Sequence, residues 1–142
     1  MTETLYRVSE AAALIGVSDD TIRRWADAGR LDLVAGPGGR LAVPGRRLAE
    51  LAREHATQPV PPEGEGRVSQ RNRLAGIVTA ITRDGVMAQV DVQAGPFRIV
   101  SLISREAADE LGLEVGSSVV ASAKATNVGI DLGSLGHTED TK

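Results

Sequence analysis

The chain has 142 residues, no cysteine, two histidines and a formal net charge of −3. That length holds one ordinary domain or two small ones. The lack of cysteine excludes a disulfide framework and a thiolate metal site, which points to a reducing cytoplasm.

The opening, MTETLYRVSE, lacks the basic start and apolar run of a signal peptide. In YRVSEAAALIGVSDDTIRRWADAGRL, two short helices flank a tight turn. Ser9 is the candidate N-cap of the first, with Ala12, Leu14 and Ile15 facing inward. Gly16 suits the positive φ of the turn, and Val17 plugs the core. Ser18 or Asp19 caps the second helix, and Asp19 and Asp20 complement its positive end. Ile22, Trp25 and Ala26 form one apolar face, which makes Trp25 a core residue and leaves Thr21, Arg23, Arg24 and Asp27 outside. Gly29 ends this helix. LDLVAGPGGRLAVPG then reads as a β-hairpin with its tip at residues 37–39 and Arg40 just beyond. A third helix follows in PGRRLAELAREH, with Leu48 and Leu51 inward and Arg46 and Arg47 divided between phosphate contact and plain surface.

Two short helices around Gly-Val-Ser fit a helix-turn-helix, whose second helix enters the major groove by its N-terminal residues. The hairpin is its wing. This stretch resembles the winged helix-turn-helix of the MerR/excisionase-like family in its small BldC-type form. The resemblance implies contact with double-stranded DNA through Thr21, Arg23, Arg24 and Arg40. Bulk charge does not favour DNA. Residues 1–55 hold eight arginines and eight acids, and 67–132 hold six arginines, one lysine and seven acids. DNA binding therefore requires arginines gathered on one face and more than one copy per complex.

TQPVPPEGEG, residues 57–66, is rich in Pro, Gly and Glu and reads as a flexible linker. The expected organisation is a winged helix-turn-helix at 1–56, the linker, a barrel at 67–133 and a disordered tail at 134–142. Beyond the linker, alternation groups Ile77, Thr79 and Ile81, then Val86, Ala88, Val90 and Val92, then Phe97, Ile99 and Ser101, into three strands. RDG at 83–85 and QAGP at 93–96 are the turns. SREAADELGL is a short helix capped by Ser104, with Leu111 packing inward. Two last strands are expected, one before and one around Lys124–Val128. Five strands and one helix suggest an OB-like barrel, so the fold class is α+β multidomain. Only one Trp, one Tyr and one Phe are present, too few for the aromatic platforms that stack single-stranded nucleic acid.

The polar groups of this half gather in SQRN, SLIS and SAKAT, none of which contains an acid. A set of donors around two cations is stable when a dianion lies between them. The pairing of SQRNRLAGIV with LISREAADELGLEVGSSVVASAKATNVGI resembles the molybdate-binding Mop (molbindin) domain of the TOBE superfamily. The resemblance implies an oxyanion, molybdate or tungstate, held by Ser69, Arg71, Ser104, Lys124, the Ala125 amide and Thr126, with Asn72 orienting the loop. Gln70 stands where the family has Ala, Thr126 where it has Ser, and Ala107 where some relatives carry a hydroxyl. It also implies a homo-oligomer, a trimer-based hexamer being one form, with Ser69–Arg71 of one chain meeting Lys124–Thr126 of another.

The two halves together suggest a molybdate- or tungstate-responsive transcriptional regulator. A molybdate store, or an excisionase-like architectural DNA binder whose barrel only oligomerises, are the alternatives. No carboxylate pair, nucleophile–base set or phosphate loop suggests an enzyme. Two histidines without cysteine do not suggest a transition-metal cation site, and no apolar run approaches a membrane span.

Overall fold

A computed structural model describes residues 3–56 and 69–138. The linker expected at 57–66 lies outside them, as do residues 139–142. The chain divides into two compact units, 1–57 with 131–142, and 58–130.

The first unit contains β1 (Thr4–Arg7), α1 (Val8–Ile15), α2 (Asp19–Asp27), β2 (Val34–Ala35), β3 (Leu41–Pro44) and α3 (Gly45–His55). Val8, Ala11, Ala12 and Ile15 fall at the i, i+3, i+4, i+7 spacing of one helical stripe, and all four pack into the core. Leu14 is off that stripe and is 50% exposed, so the inward residue is Ala11 and not Leu14. Nor is Ser9 the cap. The helix starts at Val8, and the Glu10 carboxylate accepts the Arg7 backbone N–H at 3.0 Å. Gly16 ends α1 at φ 72°, in the left-handed region that glycine tolerates. Ile22, Leu31, Val43, Leu48 and Leu51 complete the buried cluster, with Trp25 half-buried at its edge. β2 and β3 form the expected hairpin around a 3₁₀ turn at Pro37–Gly39.

The second unit contains β4 (Asn72–Arg83), β5 (Met87–Ala94), β6 (Phe97–Ser104), α4 (Arg105–Glu110) and β7 (Ser118–Ala123). They form one antiparallel sheet in the order β6-β5-β4-β7. Along β5, Ala88, Val90, Val92 and Ala94 are buried in strict alternation. β4 does not keep one phase. A bulge between Val78 and Ala80 places Val78 opposite Val92 and Ile81 opposite Val90, leaving Thr79 unpaired between them. Val78 is therefore the buried residue, and the expected Ile77/Thr79/Ile81 face holds only for Ile81. The OB-like α+β class stands with four paired strands here. The strand expected around Lys124–Val128 is a 3₁₀ turn at Ala125–Asn127, closed by the Asn127 N–H to the Lys124 carbonyl at 2.9 Å. Leu111 is 70% exposed, and Ala108 takes the inward place on α4.

The chain then returns to the first unit. β8 (His137–Thr138) pairs antiparallel with β1, completing a sheet of order β2-β3-β1-β8. The disordered tail expected from 134 is, as far as 138, a docked segment. Gly136 sits so close to Tyr6 that a Cβ would lie 2.6 Å from the ring.

Gly76 is the tightest point of the second sheet: a Cβ there would meet Val92 Cγ1 at 2.6 Å and the Gln93 carbonyl oxygen at 2.7 Å. Gly76→Ala should cost about 1–3 kcal/mol in urea unfolding, whereas Gly85→Ala, with nothing within 4 Å, should be close to neutral. Asp84 closes the β4–β5 turn. The backbone N–H groups of Met87 and Val86 donate to its carboxylate at 2.6 and 2.8 Å and, with Arg105, hold it below the usual carboxylate range. A depressed folded-state pKa gives stability present above the unfolded value and lost as pH falls through the folded one. Asp84→Asn keeps the accepting oxygen and should flatten that acid-side decline in denaturation curves taken across the acidic range.

Candidate oxyanion and nucleic-acid sites

In α2, Ser18 is the N-cap: its Oγ accepts the Thr21 N–H at 3.1 Å. The Thr21 hydroxyl lies 2.9 Å from Ser18 Oγ and accepts from Arg24 Nη2 at 3.1 Å. Thr21 therefore orients Arg24 as well as facing outward. Arg23 is exposed, and its Nη1 is 3.9 Å from Asp20, an ion pair weak enough to exchange for a phosphate. Arg23 and Arg40 line one open cleft of about 520 Å³ between α2 and the hairpin, together with Asp19, Asp27 and Leu33. Arg7, which no sequence pattern singled out, lines it too.

The other basic groups of this unit are divided by their partners. Arg47 donates from Nε to the Arg30 carbonyl at 2.8 Å and pairs with Glu50 at 2.7 Å, so it ties α3 to the preceding loop. Arg30 pairs with Glu54 at 3.1 Å and lies 5.2 Å from the centre of the Trp25 ring. His55 meets the same ring edge-on at 5.7 Å. Trp25 is thus a structural aromatic, as its spacing predicts.

In the second unit, Asn72 pairs with Ala123 in the β4–β7 register, and its Nδ2 donates to the Ala123 carbonyl at 3.2 Å. Arg71 and Lys124 are each one residue beyond that pair, at the same end of the sheet. Ser69, Arg71, Lys124, Ala125 and Thr126 are all exposed. The Asn72–Ala123 pair therefore brings the Ser69–Asn72 and Lys124–Thr126 segments to the same end of the sheet within one chain.

Ser104 is elsewhere. It pairs with Met87, at the end of β5 that lies beside Arg83 of β4. From Asn72 to Arg83 the strand contour is about 36 Å, at roughly 3.3 Å per residue. Ser104 Oγ accepts the Ala107 N–H at 3.0 Å, and the Arg105 N–H donates to the Val86 carbonyl at 2.8 Å, so the start of this six-residue helix is largely engaged. Around it, Glu106, Asp109 and Glu110 line the adjoining hollow with Arg105. An anion on Ser104 would meet that acidic field. Among the described residues, no group of three or more His, Cys, Asp or Glu is placed to hold a metal ion. No described helix is long and apolar enough to cross a membrane.

A compact winged helix-turn-helix followed by a separate OB-like sheet defines a two-unit helix-turn-helix protein with a small appended β domain. Residues 5–56 match the helix-turn-helix domain family, and residues 68–130 match the TOBE domain. The chain belongs to the TOBE domain family: it is 38% identical over 62 residues to molybdenum-pterin-binding protein 2 of Clostridium pasteurianum, covering 43% of this chain and 91% of that protein. A probable molybdenum-pterin-binding protein of Haemophilus influenzae is 40% identical over 63 residues, covering 44% of this chain and 91% of its own length. Among solved structures, a molybdate binding protein from Sporomusa ovata is 28% identical, covers 47% of this chain and all of its own, and aligns with a TM-score of 0.46.

The cap of α2 is a direct check on how the basic surface is held. Ser18→Ala removes the acceptor for the Thr21 N–H and a partner of its hydroxyl. It should lower stability by about 1 kcal/mol in thermal or urea unfolding, with Ser18→Asp close to wild type.

Proposed function

We propose that this chain is a molybdate- or tungstate-responsive, DNA-binding transcriptional regulator that works as a homo-oligomer. The observation that carries the reading is the meeting of Ser69–Asn72 with Lys124–Thr126 in a chain that also holds a winged helix-turn-helix. Arg71 and Lys124 bring two positive charges to one end of the sheet, and neither segment contains an acid. Ser69, Ala125 and Thr126 lie within two residues of them along the chain. A tetrahedral dianion answers both the charge and the donors. Molybdate and tungstate are nearly equal in size and suit the same donors, whereas sulfate is smaller and fits them poorly. The relatives named for molybdenum support this choice of ion.

Ser104 stands about eleven residues along the β4 ladder from Asn72, beside Met87 and the Arg83 end, and we assign it to the set through a second copy. The reading keeps Ser69–Arg71 of one chain meeting Lys124–Thr126 of another at an interface between copies, and the pairing of Asn72 with Ala123 sets both segments at the sheet end that would form it. Exposed apolar side chains favour such an assembly. Phe97 and Leu102 on the edge strand β6 are 70% and 66% exposed, and Val115 is 67% exposed. A trimer-based hexamer is one closed arrangement that repeats this contact. The oxyanion then acts by changing how copies associate, and so how many helix-turn-helix units reach DNA together.

Calorimetric titration of the full chain tests the ligand half. Molybdate and tungstate should bind saturably and sulfate should not, and Arg71→Ala or Lys124→Ala should weaken binding at least tenfold. Fluorescence anisotropy with duplex DNA, with and without molybdate, tests the coupling. No saturation by either ion would reduce the β domain to an assembly module. DNA affinity indifferent to a bound oxyanion would remove the regulator and leave a molybdate-binding protein.

A further inference from the structure

The open cleft on the first unit contains a cation that the helix-turn-helix pattern does not supply. Its walls come from three parts of the chain: Arg7, Val8 and Ser9 at the β1–α1 junction, Asp19, Arg23, Ala26 and Asp27 on α2, and Arg40 and Leu41 at the hairpin. We infer that Arg7 is a third phosphate contact, which with Arg23 and Arg40 seats one stretch of the DNA backbone across this cleft and so sets how α2 enters the groove. The inference rests on the DNA-binding reading above and extends it to a residue outside both the recognition helix and the wing.

The placement of Arg7 is built in. It is the last residue of β1, paired with Ala42 of β3, two positions beyond Arg40. That cross-strand register brings Arg7 to the base of the wing. Its own backbone N–H is fixed by the Glu10 carboxylate at 3.0 Å, so the chain holds the Cα while the side chain remains exposed. Arg7 and Arg40 also line together a smaller depression with Glu10, whose carboxylate already accepts the Arg7 backbone N–H. The three guanidinium groups thus come from a strand end, a helix and a hairpin, each on a rigid element.

Two carboxylates share the cleft. Asp19 stands in the first turn of α2, where the helix N–H groups offset its charge. Asp27 stands in the last turn of the same helix. Three guanidinium groups against these two carboxylates leave the cleft with a net positive lining for a phosphate. Contacts of this kind position a protein on the duplex without reading bases. Loss of Arg7 should consequently act alike on every sequence.

The test is fluorescence anisotropy of the full-length protein on mixed-sequence duplex DNA over a salt series. Arg7→Ala should reduce the magnitude of the slope of log K against log salt by about 0.9 and weaken all duplexes in the same proportion. Arg7→Lys should restore most of the slope, and Arg53→Ala, an exposed α3 residue outside the cleft, should leave it unchanged. Circular dichroism melting of each variant checks that the fold persists, with the charge-removing Arg7→Gln carrying the comparison if Arg7→Ala does not fold. Wild-type slope and affinity in Arg7→Ala, alongside losses in Arg23→Ala and Arg40→Ala, would overturn this assignment and leave the DNA-binding reading standing. No duplex binding by the wild type at any salt would overturn both.

Discussion

The second unit depends on one strand changing partners. β4 pairs with β7 from Asn72 to Ile77 and with β5 from Ile77 to Arg83, so a single strand of 12 residues serves two neighbours in succession. Such a handover needs a bend. Gly76 allows Val92 and the Gln93 carbonyl to approach closer than any side chain would permit, and the bulge at Thr79 adds twist just beyond it. The candidate ligand end of the unit follows from this. The first half of β4 carries Ser69–Asn72 to the place where β7 delivers Lys124, and the second half carries the β4–β5 turn and Ser104 away.

Charge is distributed with similar economy. Arg30, Arg47, Arg83, Arg98 and Arg105 each serve a carboxylate or carbonyl of their own unit. Arg98 holds the Asp91 carboxylate, helped by Gln89, and keeps its pKa below the usual range. Of the remaining cations, Arg7, Arg23 and Arg40 line one cleft, and Arg71 and Lys124 adjoin the Asn72–Ala123 pair at one sheet end. A chain of net charge −3 thereby presents two local basic surfaces, which is the condition for binding polyanions and small oxyanions without bulk basicity.

Much of this was legible before the coordinates. Gly16 with a cap at Ser18, the apolar triplet of α2, the Pro-Gly-Gly hairpin tip and the turns at 83–85 and 93–96 are local signals, and local signals suffice where a structure is decided within a few residues. The misses share the opposite character. Leu14 looked like core because it is large, yet the stripe it would join is filled by Ala11, whose small side chain lets the helices approach. Ile77 and Thr79 looked inward because alternation assumes an unbroken ladder, and a bulge is set by the partner strand. Val128 is extended, at φ −96° and ψ 117°, but among the described residues it pairs with no strand, and the segment before it turns at Ala125–Asn127. Ser104 was read as a helix cap correctly, but the carboxylates beside it and its distance from Arg71 are tertiary facts. Arg7 lies inside the helix-turn-helix stretch but nothing local marks it, because its significance arises from pairing with Ala42 across the β1–β3 ladder.

The return of β8 to β1 gives the protein an unusual order of assembly. The first strand and its last neighbour are separated by the whole second unit, so on a ribosome the helix-turn-helix core can collect while its sheet still lacks an edge. The second unit must fold as an insertion within the first. Closing so long a loop costs little more entropy than closing a moderate one, since that cost grows only with the logarithm of length. The delay is therefore in time rather than in free energy: a nascent chain presents one edge of β1, the edge away from β3, unpaired until residues 137–138 emerge, and in a crowded polysome that edge is open to the same segment of a neighbouring chain.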